Sequence, residues 1–340
     1  MTNLTIYTKE DVLPLINKRE GEKKFGEKVN FMTPSHNLDN ELENSNSKYV
    51  LFGIKESIGV KANRGRQGTE SAWNCALKSL LNTQNSPFNK GKHLLLLGCL
   101  EFPEQMTQAK QLDANTPSDL KQLYNLVAKI DEVVTNLVFK IVSAGKIPII
   151  IGGGHNNAYG NIKGSSLALN KPINAINFDA HTDFRALEGR HSGNGFSYAY
   201  QEGFLQRNFI FGIHENYTSK KILKELNAHN NHLNYNTFEA IEIRKETSFE
   251  HEMQYAFNFI KNEKFGLEID LDAIQDIATS AVTPSGFSVN AARQFVSYFA
   301  KSKKVTYLHL CEAAPELGDD TANQTGKLLA YLITDFMRAH

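Results

Sequence analysis

Seven apolar runs of strand length recur along this chain, at 49–54, 93–97, 147–151, 173–178, 209–213, 265–271 and 305–310. Most are near-continuous rather than alternating, Leu94-Leu95-Leu96-Leu97 being the plainest. A strand with one wet face alternates polar and apolar residues. A continuous run instead suits a strand covered on both faces, as in a parallel sheet. A weaker eighth candidate lies at 232–235. Helical patterns separate the runs. The clearest opens at Thr116-Pro117-Ser118-Asp119, a helix start. It continues as an apolar stripe through Leu120, Leu123, Leu126, Val127, Ile130, Val133, Val134, Leu137, Val138 and Ile141 and stops near Gly145. Further helices are expected at 68–82, 217–227, 248–262, 288–301 and 325–338. Strand and helix alternate throughout, which predicts a three-layer αβα fold around a doubly wound, mostly parallel sheet of about eight strands. No Pro/Ser-rich linker and no internal repeat divides the 340 residues, so 1–340 reads as a single domain. The polar segments 1–45 and 100–117 read as peripheral loops or oligomer contacts.

Charge narrows the function classes. Lys and Arg together number 37, as do Asp and Glu, and this balance argues against non-specific binding to nucleic acid or an anionic membrane. The first residues lack the basic and apolar regions of a signal peptide, and the apolar runs are shorter than a membrane span. The 3 cysteines, Cys75, Cys99 and Cys311, are far apart and without metal spacing, which suits a reducing compartment; Cys99 and Cys311 follow apolar runs and read as buried thiols. A cytoplasmic location is the expectation.

Three segments carry the chemistry: Gly152-Gly153-Gly154-His155, Asp179-Ala180-His181-Thr182-Asp183 and Asp270-Leu271-Asp272. Each follows or ends a predicted strand, and in α/β sheets ligands bind at the carboxyl ends of strands. Residues two apart on extended chain point the same way, so Asp179, His181 and Asp183 can face one cavity, as can Asp270 and Asp272. Singly, an Asp-x-Asp after a strand is usually a turn or cap, and Gly-Gly-Gly-His a tight turn or half of a phosphate loop. Three potential ligands within five residues, however, would repel one another or lose solvation without a cation. Two imidazoles and four carboxylates suffice for two divalent metals, which activate water. Oxygen-rich donors suit Mn²⁺, with Zn²⁺, Fe²⁺, Co²⁺ and Ni²⁺ open.

On these segments the chain resembles the ureohydrolase superfamily of arginases, agmatinases and formimidoylglutamases, over roughly 48–338. The resemblance implies an arginase-like fold and two Mn²⁺ per subunit. His155, Asp179, Asp183 and Asp270 would ligate one ion, and Asp179, His181, Asp270 and Asp272 the other, with Asp179 and Asp270 bridging around a hydroxide. That hydroxide would attack an amidine or guanidine carbon, with Asp183 shuttling its proton. Glu312, in Glu312-Ala313-Ala314-Pro315, would face the substrate's cationic nitrogen. A homo-oligomer is also implied.

Within the superfamily, Asn63-Arg64-Gly65-Arg66-Gln67-Gly68 resembles a formimidoylglutamase loop. N-formimidoyl-L-glutamate has two carboxylates, and Arg64, Arg66, Arg185 and Arg190 are candidate anchors, since Arg recognises carboxylates bidentately. Asn63, Ser192 and Asn194 join them as substrate residues, and His191 as a catalytic candidate beside Ser192-Gly193-Asn194-Gly195-Phe196. Where arginases place a proton-relaying His after Ser-Gly-Asn, this chain has Gly195-Phe196. The expected reaction is therefore hydrolysis of formimidoylglutamate to glutamate and formamide. The alternatives are a guanidine hydrolase releasing urea, a one-metal zinc deacetylase (disfavoured by the lack of a His-His pair) and a catalytically silent scaffold.

Overall fold

The computed structural model describes residues 3–33, 37–318 and 322–340. Its strands are β1 (Leu4–Ile6), β2 (Asn30–Phe31), β3 (Tyr49–Lys55), β4 (Leu94–Glu101), β5 (Ile147–Ile151), β6 (Ile173–Phe178), β7 (Leu205–Ile213), β8 (Leu233–Thr237), β9 (Phe265–Asp270) and β10 (Val305–Cys311). They form one 10-stranded sheet in the order β1-β4-β3-β5-β10-β9-β6-β7-β8, with β2 also on β4. Every pairing is parallel except β1 with β4. All seven predicted runs are strands, and the weaker eighth candidate is β8.

The two strands beyond the predicted eight come from the segment read as peripheral. β2 pairs with the first half of β4 (Asn30 with Leu95) and β1 with its second half (Ile6 with Gly98). Together they cover an edge that would otherwise offer unpaired backbone. Val12, Phe25, Val29 and Leu42 from the same segment are buried, so these side chains contribute to the core. At 2 and 3 residues, these strands are too short to give a periodic signal. The segment 100–117 likewise holds the end of β4 and a helix at Pro103–Lys110.

Helices cover both faces, as continuous apolar strands require. The predicted stripe becomes the helix Pro117–Ser143, with Leu123, Val127, Ile130, Val134, Val138 and Ile141 buried. Against it lies a helix that the apolar pattern does not predict, Asn157–Leu169. This helix is buried through small and polar residues (Ala158, Gly160, Asn161, Gly164, Ser165) and so shows no apolar stripe. Added at Gly164, a Cβ would lie 2.6 Å from the Thr135 carbonyl oxygen and 2.9 Å from Val138 Cβ. The two helices therefore approach at backbone distance.

The sheet order positions the site. From β3 the chain goes outward to β4, returns past β3 to β5, then passes to β6, leaving a gap later filled by β9 and β10. Four adjacent central strands, β5, β10, β9 and β6, thus end side by side at the point where winding reverses, the usual ligand crevice of such sheets.

Packing at Gly164 is testable. Ala favours a helix over Gly by roughly 0.8–1.0 kcal/mol, but overpacking a tight contact costs about 1–3 kcal/mol. Gly164→Ala is expected to destabilise the protein, read as a lower urea midpoint at unchanged m-value. A raised midpoint would show slack between the helices.

Candidate metal centre and substrate pocket

The turn after β5 begins the site. Gly152 and Gly153 take φ of 84° and 68°, in the left-handed region. A Cβ on Gly153 would meet Asn157 Nδ2 at 2.2 Å and Glu56 Oε1 at 2.8 Å. This turn tucks the His155 ring beneath the ends of β6 and β9. His155 is fully buried, and its Nδ1 lies 2.9 Å from Asp183 Oδ2, 3.1 Å from Asp270 Oδ2 and 3.2 Å from Asp179 Oδ2. The Asp179 carboxylate faces both ways: its other oxygen is 3.7 Å from His181 Nδ1, which also stands 3.1 Å from Asp272 Oδ2. Two donor groups result, His155, Asp179, Asp183 and Asp270, and Asp179, His181 and Asp272, sharing Asp179. Asp270 Oδ1 accepts the Asp272 N–H at 2.9 Å, so this carboxylate links the first group to the backbone of the second. Asn177 Nδ2 donates to Asp179 Oδ2 at 2.8 Å, and the His181 N–H to Asp179 Oδ1 at 2.6 Å, fixing the shared carboxylate.

The electrostatics call for cations. Burial, then the negative neighbours Asp272 and Asp179, hold Asp270 well above the usual carboxylate range. Burial and Asp179 push Asp183 up to about 6. Burial opposes ionisation of Asp179 too, but His155 and His181 outweigh it and lower that carboxyl. His181 is raised, chiefly by Asp272. Burial works against a charge on His155, yet Cys311, Asp179, Asp183 and Asp270 together raise it well above its ordinary value. Each imidazole is thus driven toward the positive form by crowded acid groups. His155 Nδ1, with no hydrogen-bond partner among the described residues, points into three carboxylate oxygens. This donor set and this orphaned nitrogen fit a pair of divalent cations.

The centre opens into a cavity of about 280 Å³. Asp183, His181, Asp270, Asp272 and Glu312 form its floor; Asn63, Arg185, Ser192 and Tyr217 stand around it. Glu312, at the end of β10, accepts the His155 N–H at 2.6 Å on Oε1 and the Ser280 hydroxyl on Oε2. Burial pushes Glu312 up to about 8. Tyr217 stacks on His181 with centroids 5.3 Å apart. Neither Ser280 nor Tyr217 has a sequence signal of a site: Ser280 lies in a loop after β9 and Tyr217 ends a single 3₁₀ turn, Glu215–Tyr217, after β7, and only folding brings them to the floor and the wall.

The predicted substrate residues divide. Asn63 and Ser192 line the cavity and are joined by a hydrogen bond of 3.1 Å. Arg185 Nη1 donates to Asn63 Oδ1 at 2.6 Å, so of the four candidate arginines this one lines the cavity. Arg66 is exposed outside it, and Arg64, with φ of 62°, donates to the Ala114 carbonyl at 3.3 Å beside a neighbouring small cavity. Arg190, expected to anchor substrate, is buried and committed elsewhere: it donates to Asp131 at 2.8 Å and to the Asn156 carbonyl at 2.9 Å, sandwiched between Tyr159 and Tyr198. Asn194 is occupied similarly, accepting from Arg190 and the His191 N–H and donating to the Gly189 carbonyl. His191, expected to be catalytic, turns away from the metal donors. Its Nδ1 accepts the Gly193 N–H at 3.1 Å, its Nε2 faces Glu188, and burial lowers it to about 4. Arg190, Asn194 and His191 therefore shape the loop that presents Ser192.

Known proteins agree with this architecture. The arginase family is matched over residues 79–338. Formimidoylglutamase of Streptococcus pyogenes is 25% identical over 303 residues, covering 84% of each chain. A solved formimidoylglutamase from Bacillus subtilis superposes with a TM-score of 0.74 at 17% identity, over 95% of this chain and 93% of that one. Trypanosoma cruzi formiminoglutamase with Mn²⁺ gives 0.70 at 18% identity, over 94% of this chain and 99% of that one. With a match covering most of its length and the family's strand-end motifs converging in one crevice, the chain belongs to the arginase family.

Proposed function

We propose that this protein is a dinuclear-metal hydrolase that converts N-formimidoyl-L-glutamate and water to L-glutamate and formamide. The observation carrying this reading is one crevice in which six metal-type donors stand beside Arg185, Asn63 and Ser192. Its likeness over most of its length to formimidoylglutamases supports the choice of substrate. His155, Asp179, Asp183 and Asp270 would hold one Mn²⁺; Asp179, His181 and Asp272 would hold the second, with Asp270 alongside. Two such cations supply a water acidic enough to ionise near neutral pH. The remaining work falls to side chains. Glu312, steadied by Ser280, offers a carboxylate edge to the parallel N–H donors of an amidinium. Asp183, on the cavity floor, can take the proton of the attacking water and return it to the departing nitrogen as the C–N bond breaks. Arg185 supplies the cation that a glutamate carboxylate needs.

Protein supplied with Mn²⁺ and formimidoylglutamate should release formamide and glutamate in equal amounts; efficient release of urea from arginine would overturn the substrate choice. Asp179→Asn should lose bound Mn²⁺ and lower turnover by more than about 100-fold, beyond what loss of a residue merely supporting a ligand costs. Arg185→Ala should raise KM by roughly 10–100-fold with little change in kcat, as loss of one charge-assisted hydrogen bond worth about 1.5–3 kcal/mol predicts.

A further inference from the structure

We infer that Glu56 is a positioning residue whose single carboxylate locks the metal-binding turn to the loop carrying Asn63, an inference that rests on the dinuclear reading above. Glu56 follows β3 and is fully buried. Its Oε1 accepts the Gly154 N–H at 3.0 Å, Asn157 Nδ2 at 2.7 Å and Asn156 Nδ2 at 3.3 Å. Its Oε2 accepts the N–H groups of Ile58 at 2.7 Å and Gly59 at 3.2 Å. No Lys or Arg pairs with it among the described residues, so backbone and amide donors alone offset the cost of burying it.

The two oxygens serve different parts of the site. One grips both sides of His155, the residue that turns Nδ1 toward Asp179, Asp183 and Asp270. The other organises the short helix Ile58–Ala62, which leads directly into Asn63 at the cavity wall. The turn is closed from its opposite side by Arg190 on the Asn156 carbonyl. Space is tight here as well: a Cβ at Gly59 would fall 1.9 Å from Asn156 Oδ1, so loop and turn cannot slide past each other. Glu56 contacts no metal donor side chain and does not line the cavity. It acts through the backbone it holds.

Glu56→Gln keeps the shape but turns an amide N–H₂ toward donors. Calorimetric titration of metal-free protein with Mn²⁺ reads the effect. The affinity of one of the two sites should fall about 10–100-fold, the usual cost of losing a group that supports a ligand. Two ions should still bind at saturation, and KM should rise because the Asn63 loop shifts with the turn. Asn157→Ala, which keeps the carboxylate and removes one donor, should move the same affinity in the same direction by less, and decides the matter if Glu56→Gln does not fold. Affinities within about twofold of the unaltered protein, with only the metal-free melting temperature lowered, would reduce Glu56 to a structural anchor and overturn the inference, since a true ligand support costs more. An unaltered protein that takes up no Mn²⁺ would remove the dinuclear reading, and this inference with it.

Discussion

Crowded, desolvated carboxylates at the ends of three neighbouring strands, β10, β9 and β6, are the constraint to which this site answers. Asp179, Asp183, Asp270, Asp272 and Glu312 are all buried in one crevice. At about 4 Å, two like charges repel by about 4 kcal/mol at an effective dielectric of about 20, and each also pays for lost hydration. Apolar packing cannot relieve this; only positive charge within the cup can. The sheet creates the problem because parallel strands bring their carboxyl ends to one edge, and inserting β9 and β10 between β5 and β6 leaves no strand to separate the acid-bearing ends. The imidazoles of His155 and His181, both driven toward protonation, supply part of the missing charge. A pair of divalent cations would supply the rest and free the imidazoles to act as neutral ligands.

Legibility followed contiguity. Asp179, His181 and Asp183 announce themselves because their ligands lie within five residues, and His155 because glycines mark its turn. The strands are readable for a related reason: burial on both faces writes a run of apolar residues into the chain, as in Leu94 to Leu97. The helix Asn157–Leu169 is not readable, because contact at backbone distance selects Gly160 and Gly164 and thereby erases the apolar stripe. Strands β1 and β2 are invisible for want of length.

Substrate residues are harder to read, and the arginines show why. Sequence reveals that a guanidinium is present but not whether the fold has already claimed it. Arg190 sits two residues before Ser192, a plausible place for a substrate anchor. Yet Asp131, 59 residues away on the helix Pro117–Ser143, takes its charge, and two tyrosines take its faces. Arg185, less prominent in its motif, retains access to the cavity because its partners are the neutral Asn63 amide and the solvent-exposed Glu188, neither of which buries it. Glu56 is the extreme case. A lone acid after a strand carries no pattern, and its role exists only through five donors drawn from two separate stretches of chain.

Backbone strain in the same crevice separates residues kept for space from residues kept for chemistry. At Gly152 and Gly153 the left-handed conformation coincides with positions where a side chain would be crowded, and glycine satisfies both demands. Asp183 and Glu312 adopt left-handed backbone too, with φ of 44° and 59°, but keep full side chains. Asp tolerates that region better than most residues, through local hydrogen bonding, whereas Glu has no such help. Such strain costs about 1–3 kcal/mol per residue, and glycine at either position would relieve it. A glycine could not, however, place an oxygen 2.9 Å from His155 Nδ1 or accept the His155 N–H from the end of β10. The sequence retains carboxylates where the backbone would favour glycine, and it does so at two of the acids that line the cavity and touch His155, Asp183 at its ring and Glu312 at its backbone.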